Sequence, residues 1–221
     1  MAIYVPQPHR AAPFDEAAAR ARSREHLETM RQRRSIRSFA PEPVPRELVE
    51  NAVRVAGTSP SGANQQPWTF VVVYDEETKR RIRRGAEREE ELLYRERASA
   101  EYLSAIEPIG TNASKPHLTE APCLIAVFEQ AWRREGGEKR KHYYARESVG
   151  IAVGFLVTAL HLSGLATLTH APSPMGFLRE ILERPDNERP FLLVAVGHPA
   201  PDAEVPTLRR KPFDEFAVTV G

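Results

Sequence analysis

Three arginines and a serine fall within five residues at Arg33-Arg34-Ser35-Ile36-Arg37, and a turn of small and polar residues follows at Pro60-Ser61-Gly62-Ala63-Asn64-Gln65-Gln66-Pro67-Trp68. A guanidinium presents a planar fork of donors that pairs with two phosphate oxygens and stays charged at physiological pH. The arginines with the Ser35 hydroxyl are therefore a candidate clamp for a phosphate monoester. In the turn, Gly62 permits close approach of backbone to a ligand and leaves backbone N–H groups to point at acceptors. Taken singly, the two segments read as a solvated basic helix start and an ordinary surface turn. Their occurrence together favours a bound, phosphate-bearing cofactor.

A second set of polar residues lies further along the chain. Glu90 and Tyr94 are four apart, hence on one face of a helix, where a carboxylate and a phenol can meet one ligand; Lys115 follows in a highly charged segment. Glu90 is one of several neighbouring glutamates, and by itself reads as part of a solvated face. Metal chemistry has no such pattern, because the seven histidines fall at no ligand spacing and Cys123 is the only cysteine.

A chain of 221 residues is most simply one domain with a substantial core. The formal charge of +1, from 31 basic and 30 acidic side chains, argues against a dedicated nucleic-acid binder, and the basic cluster at 79–84 reads as a solvated helix face. One cysteine in an apolar run excludes an intrachain disulfide and fits a reducing cytoplasm. Residues 1–13 carry His9 and Arg10 and lack the apolar core of a signal peptide. The longest apolar run, 149–160, is too short to span a membrane, so a cytoplasmic protein is expected.

The positioning elements follow from periodicity and punctuation. An alanine- and arginine-rich helix is expected over 14–31, delivering the arginine cluster at its end. A second is expected over 45–57, opened by proline and closed by glycine. Strands are expected at 69–74, 123–128, 166–169 and 191–197. A long charged helix should run from 76 into the nineties, a short helix over 176–182, and a charged loop over 132–141 with Gly136-Gly137 at its tip. Residues 146–163 are apolar on nearly all sides and predict a buried central helix. Residues 87–115 hold too few apolar groups for a core of their own.

The order Arg-Arg-Ser-Ile-Arg-Ser-Phe, then Pro-Ser-Gly-Ala-Asn-Gln-Gln-Pro-Trp, resembles the nitroreductase superfamily of FMN-dependent oxidoreductases. Residues 87–94, Lys115, Lys141-His142-Tyr143-Tyr144 and Val205-Pro206-Thr207-Leu208-Arg209-Arg210-Lys211-Pro212 resemble its iodotyrosine deiodinase branch, in a soluble, bacterial form. The resemblance covers 31–220, leaving 1–30 as an extension and 31–221 as one FMN-binding domain. It implies an α+β fold, a mostly antiparallel sheet flanked by helices, in an intertwined homodimer with a C-terminal arm crossing to the partner. On it, Arg33, Arg34, Ser35, Ile36 and Arg37 hold the FMN phosphate and ribityl chain, assisted by Arg210. Ser61 and Gly62 meet the isoalloxazine, and Thr169, His170 and Ala171 lie along its other edge. Glu90 takes the ammonium of a halotyrosine, Lys115 and Tyr94 its carboxylate, and the Ala63 N–H its phenolate, while 87–115 closes as a mobile lid.

The implied reaction is FMN-dependent reduction of 3-iodotyrosine and 3,5-diiodotyrosine to tyrosine and iodide, with electrons from NAD(P)H or an external reductase and no nucleic-acid or membrane partner. One residue departs from the pattern. Where the family sets a threonine hydroxyl against flavin N5 and so favours one-electron steps, this chain has Ala171, which favours the alternative of a general NAD(P)H-dependent nitroreductase or quinone reductase. His170 beside it is a candidate substitute for that hydroxyl or a packing residue. A flavin-storing or nucleic-acid-binding protein using the arginine clusters is the non-enzymatic alternative.

Overall fold

The computed structural model describes residues 4–221, in two compact units that divide between Arg33 and Arg34. The first holds α1 (Glu16–Gln32). The Asp15 carboxylate caps it by accepting from the Ala18 N–H at 3.0 Å, and none of its side chains is buried. Arg33 is its C-cap, so the division lies between Arg33 and Arg34 rather than at 30–31.

The second unit runs α2 (Arg46–Gly57), β1 (Trp68–Val73), α3 (Glu76–Leu92), α4 (Ala100–Ile106), α5 (His117–Glu120) and β2 (Cys123–Gln130). It continues with β3 (Trp132–Glu135), β4 (Glu138–Lys141), α6 (Ala145–Leu162), β5 (Ala166–His170), α7 (Gly176–Ile181) and β6 (Glu188–Gly197). Four strands form one antiparallel sheet in the order β1-β2-β6-β5. Its two central strands are apolar on both faces because helices cover both. Cys123, Ile125, Val127, Val194 and Val196 pack with Val49 and Ala52 of α2 and Val149, Val153, Leu156 and Leu160 of α6. The alternate residues Leu124, Ala126, Phe128, Leu193 and Ala195 meet Ile82 and Ala86 of α3 and Leu178 of α7. The result is the expected α+β architecture.

Two local expectations are corrected. Residues 132–141 are not a loop but the β3–β4 hairpin. It is charged on both faces and is held at its root, where Ala131 N–H donates to the Asn187 carbonyl at 2.8 Å and His142 N–H to the Ala131 carbonyl at 3.1 Å. Helix α6 buries only one side: Val149, Ala152, Leu156 and Leu160 lie in the core, while Ile151, Phe155 and Leu162 are exposed. It also has the length and hydropathy of a membrane span, although its buried side fills the core of this unit. Residues 87–115 fold into the end of α3, a π turn at Leu93–Arg97, α4 and the 3-10 turn Glu107–Ile109.

Candidate active site

Before β1 the chain makes a tight turn with positive φ at Ala63 (50°), Asn64 (52°) and Gln66 (48°). For residues other than glycine this left-handed backbone costs of the order of 1 kcal/mol each, so the surroundings must hold it. Helix α6 supplies the hold. Ser148 Oγ accepts from the Gly62 N–H at 3.2 Å and donates to the Tyr144 carbonyl at 2.6 Å, while Gln65 Oε1 accepts from the Tyr143 N–H at 2.7 Å. A Cβ on Gly62 would stand 2.6 Å from the Tyr143 carbonyl oxygen, so only glycine fits. Within the turn, Ser61 accepts from Asn64 N–H at its carbonyl and from Gln66 N–H at its hydroxyl, and the Gly62 carbonyl accepts from Gln65 N–H. The Ala63 N–H is left without an acceptor among the described residues, a donor held in a rigid turn.

Glu90, Tyr94 and Lys115 come together beside α3. Glu90 Oε2 lies 3.3 Å from Lys115 Nζ, with both side chains at least nine-tenths buried, and Nζ lies 5.8 Å from the Tyr94 ring centroid. The ammonium also donates to Thr111 Oγ1 at 3.1 Å and to the Asn112 carbonyl. Burial pulls the Lys115 pKa down while the Glu90 carboxylate opposes it, and burial raises the Tyr94 phenol. Glu87, one turn before Glu90, anchors the far end of this segment. Its Oε1 accepts from Lys115 N–H at 2.7 Å and from Arg83 Nε at 2.8 Å, and these hydrogen bonds bring its pKa below the usual carboxylate value although burial acts to raise it.

The arginine segment runs beside β5: Ser35 bridges Thr167, and Ile36 N–H donates to the Thr167 carbonyl at 3.1 Å. Arg34 reaches the Pro206 carbonyl in the tail, and Arg37 is close enough to the Tyr94, Lys115, His117 and His170 side chains to act on their charge. Burial lowers the Arg37 pKa. At the end of β5 Thr169 and Ala171 are exposed, whereas His170 turns the other way onto His117, ring centroids 5.3 Å apart at 70°. His170 thus takes the packing role and does not stand in for a hydroxyl beside Ala171. Burial drives His117 down to about 4 and His170 to about 3, helped by the nearby cations, so both are neutral. Arg210 lies in an exposed stretch of tail. Neither His117 nor Thr111 stands out in the sequence; only their nearness to Lys115 marks them.

Two halves of the expected site do not meet within one chain. The Ser61–Gln66 turn enters edge strand β1 at Trp68, which lies across the sheet from Glu129 and then Arg189, while His170 on the opposite edge pairs with Leu193, four residues along β6. Three strand spacings across and four residues along place the two ends roughly 20 Å apart. That exceeds the span of one three-ring cofactor.

Residues 30–198 match the model of the Nitroreductase family. The chain is 50% identical to the iodotyrosine deiodinase of Haliscomenobacter hydrossis over 96% of each protein. It is 42% identical to human iodotyrosine deiodinase 1 over 98% of this chain and 75% of that one. The crystal structure of oxidized iodotyrosine deiodinase bound to FMN and 3-iodo-L-tyrosine superposes with a TM-score of 0.74 at 30% identity, covering 88% of this chain and all of that one. With its antiparallel sheet, its arginine segment along β5 and its buried Glu90–Lys115 pair, the chain belongs to the nitroreductase family, in the iodotyrosine deiodinase branch.

Proposed function

We propose that this protein is an FMN-dependent reductive dehalogenase of halotyrosines, converting 3-iodotyrosine and 3,5-diiodotyrosine to tyrosine and iodide. The observation that carries the reading is the buried Glu90–Lys115 pair beside Tyr94. A zwitterion inserted there replaces one ion pair by two, the ammonium on Glu90 and the carboxylate on Lys115 and Tyr94, and leaves no buried charge unmatched. The residues also suit FMN: Arg33, Arg34, Ser35 and Arg37 for the phosphate and ribityl chain, Ile36 through its backbone, and the exposed Thr169–Ala171 end of β5 for one ring edge. Ser61, Gly62 and Arg210 complete the set, and the free Ala63 N–H suits the substrate phenolate. Reduced FMN supplies two electrons; the ring carbon exchanges iodine for a proton, and iodide leaves.

The roughly 20 Å between the two halves is bridged if the turn comes from a second copy. The apolar face of α6 at Ile151, Phe155 and Leu162 and the exposed Leu208, Phe213 and Phe216 of the tail support such an intertwined homodimer. Electrons enter from NAD(P)H or an external reductase, and residues 87–115 close over the ligand.

Fluorescence of the bound flavin tests the substrate. Titration with 3-iodotyrosine should give tight, saturable quenching, and Lys115→Ala should weaken it about a hundredfold by leaving the buried ligand carboxylate without its cation, a loss of about 3 kcal/mol, while nitroarene reduction holds. Absence of quenching favours the general nitroreductase reading, which Ala171 without its hydroxyl supports.

A further inference from the structure

Glu87 and Glu90 lie one turn apart on α3, and both reach the same residue. Glu87 Oε1 accepts from the Lys115 backbone N–H at 2.7 Å, and Glu90 Oε2 lies 3.3 Å from the Lys115 ammonium. One helix thus grips a lysine at both its ends. The four-carbon stem between them is flexible, so where the ammonium stands depends on where the backbone is held. That hold is built from α3. Arg83, one turn before Glu87, donates through Nε to the same Glu87 oxygen at 2.8 Å and through Nη1 to Thr119 Oγ1 at 2.9 Å, and the Thr119 hydroxyl donates to the Pro116 carbonyl at 3.0 Å. Lys79, a further turn back and buried, donates to the Ala121 carbonyl at 2.8 Å. Pro116 has no N–H, so the backbone grip at this point falls to Lys115 itself, through its N–H on Glu87 and its carbonyl, which accepts from the Leu118 N–H at 3.1 Å.

We infer that Glu87 is a positioning residue: backed by Arg83, its carboxylate holds the Lys115 backbone so that the ammonium stands beside Glu90, ready to receive the carboxylate of an amino-acid ligand. Glu87 acts through Lys115, since its Oε1 is already taken by two donors. Without it the Lys115 N–H has lost its acceptor, the backbone before Pro116 shifts to find another, and the ammonium moves with it. Glu90 stays on α3 and still takes the ammonium of the ligand. The inference rests on the halotyrosine reading and adds to it a residue whose effect falls on one end of the ligand, the carboxylate.

The test compares the FMN-loaded protein with Glu87→Ala, Glu87→Asp and Glu87→Gln, using 3-iodotyrosine and 3-iodotyramine, which has the ring and the ammonium but no carboxylate. Because both bonds end on one oxygen, a glutamine amide oxygen can accept both, whereas alanine accepts neither and aspartate keeps the charge but falls one methylene short. Glu87→Ala should raise the Kd and KM for 3-iodotyrosine about tenfold or more, the scale of a lost hydrogen bond to a charged group, with kcat at saturation changed less than about twofold. Glu87→Asp should lose affinity in the same direction, and it decides the matter if the alanine variant does not fold. Glu87→Gln should stay within about threefold of the parent, and 3-iodotyramine should bind all four proteins alike. Unchanged 3-iodotyrosine binding in the alanine and aspartate variants, an equal loss of 3-iodotyramine binding, or a glutamine variant as weak as the alanine one overturns the inference alone. If the unsubstituted protein does not bind 3-iodotyrosine, the inference and the deiodinase reading fall together.

Discussion

His117 and His170 make the fold sensitive to mild acid. Burial, with Lys115, Arg37 and Arg83 close by and only Glu87 opposing at His117, holds the two rings at about 4 and about 3, against the ordinary 6.5. A base whose folded pKa is depressed contributes its full stability above the unfolded value and loses it as the pH falls toward the folded one, here from 6.5 down to 4 and 3. At pH 5 an unfolded chain has taken up nearly one proton at each ring, while the folded protein has taken up almost none. Integrating that difference gives a loss of about 2 kcal/mol per histidine relative to pH 8, or about 4 kcal/mol for the pair. The two losses add, because at pH 5 neither folded ring is charged and they do not yet repel. Against a typical total of about 5–15 kcal/mol this is a large fraction. Urea unfolding of the FMN-loaded protein at fixed concentration, at pH 8 and pH 5, measures it for the parent, His117→Gln, His170→Gln and the double variant. The drop between the two pH values should shrink by about 2 kcal/mol in each single variant and about 4 in the double. Titrations common to all four proteins cancel. An equal drop in all four would refute the reasoning, since it would mean that the rings protonate as readily in the folded state as in the unfolded.

Gly62→Ala places a Cβ against the Tyr143 carbonyl at 2.6 Å and the Tyr144 ring at 3.0 Å, and should cost roughly 1–3 kcal/mol while loosening the turn; a melting curve and flavin retention like the parent's would show that the turn has room. Phe155→Glu puts a charge on the exposed apolar face of α6 and should convert a sedimenting dimer to monomer with loss of FMN; a stable dimer would remove that face from the interface. Ala171→Thr restores a hydroxyl at the exposed end of β5 and should separate the two one-electron potentials of bound flavin in a reductive titration; superimposable curves would mean that this position does not reach the flavin.

The elements that read clearly in the sequence are those whose burial follows a local pattern. Strands β2 and β6 are continuous apolar runs because both faces are covered, and α2 carries a proline and a glycine at its two ends. The β3–β4 hairpin has no such pattern. Both its faces are wet, so no alternation betrays it, and its root is held in part from 55 residues away, where the Asn187 side-chain NH₂ donates to the Trp132 carbonyl at 2.8 Å. Helix α6 misleads for the opposite reason. An apolar side chain left on the surface and one bound for the core look the same in a sequence, so an apolar cylinder looks fully buried when one side, at Ile151 and Phe155, faces outward.

The same physics divides the candidate site. Glu90, Tyr94 and Lys115 are visible because charge in a helix and its following segment is conspicuous, whereas Thr111 and His117 are ordinary residues whose importance lies only in what the fold brings beside them. The turn at Ser61–Gln66 is visible as a glycine-containing turn, yet its unpaired Ala63 N–H depends on Ser148 and Gln65 occupying the neighbouring groups. On the proposed reading, a rigid, strained turn with an unused donor at Ala63, about 20 Å from the strand end it is expected to face, cannot serve a flavin held at that strand end of its own chain. If the proposed homodimer forms, a second chain carries it there, and assembly is then a condition of catalysis rather than an addition to it.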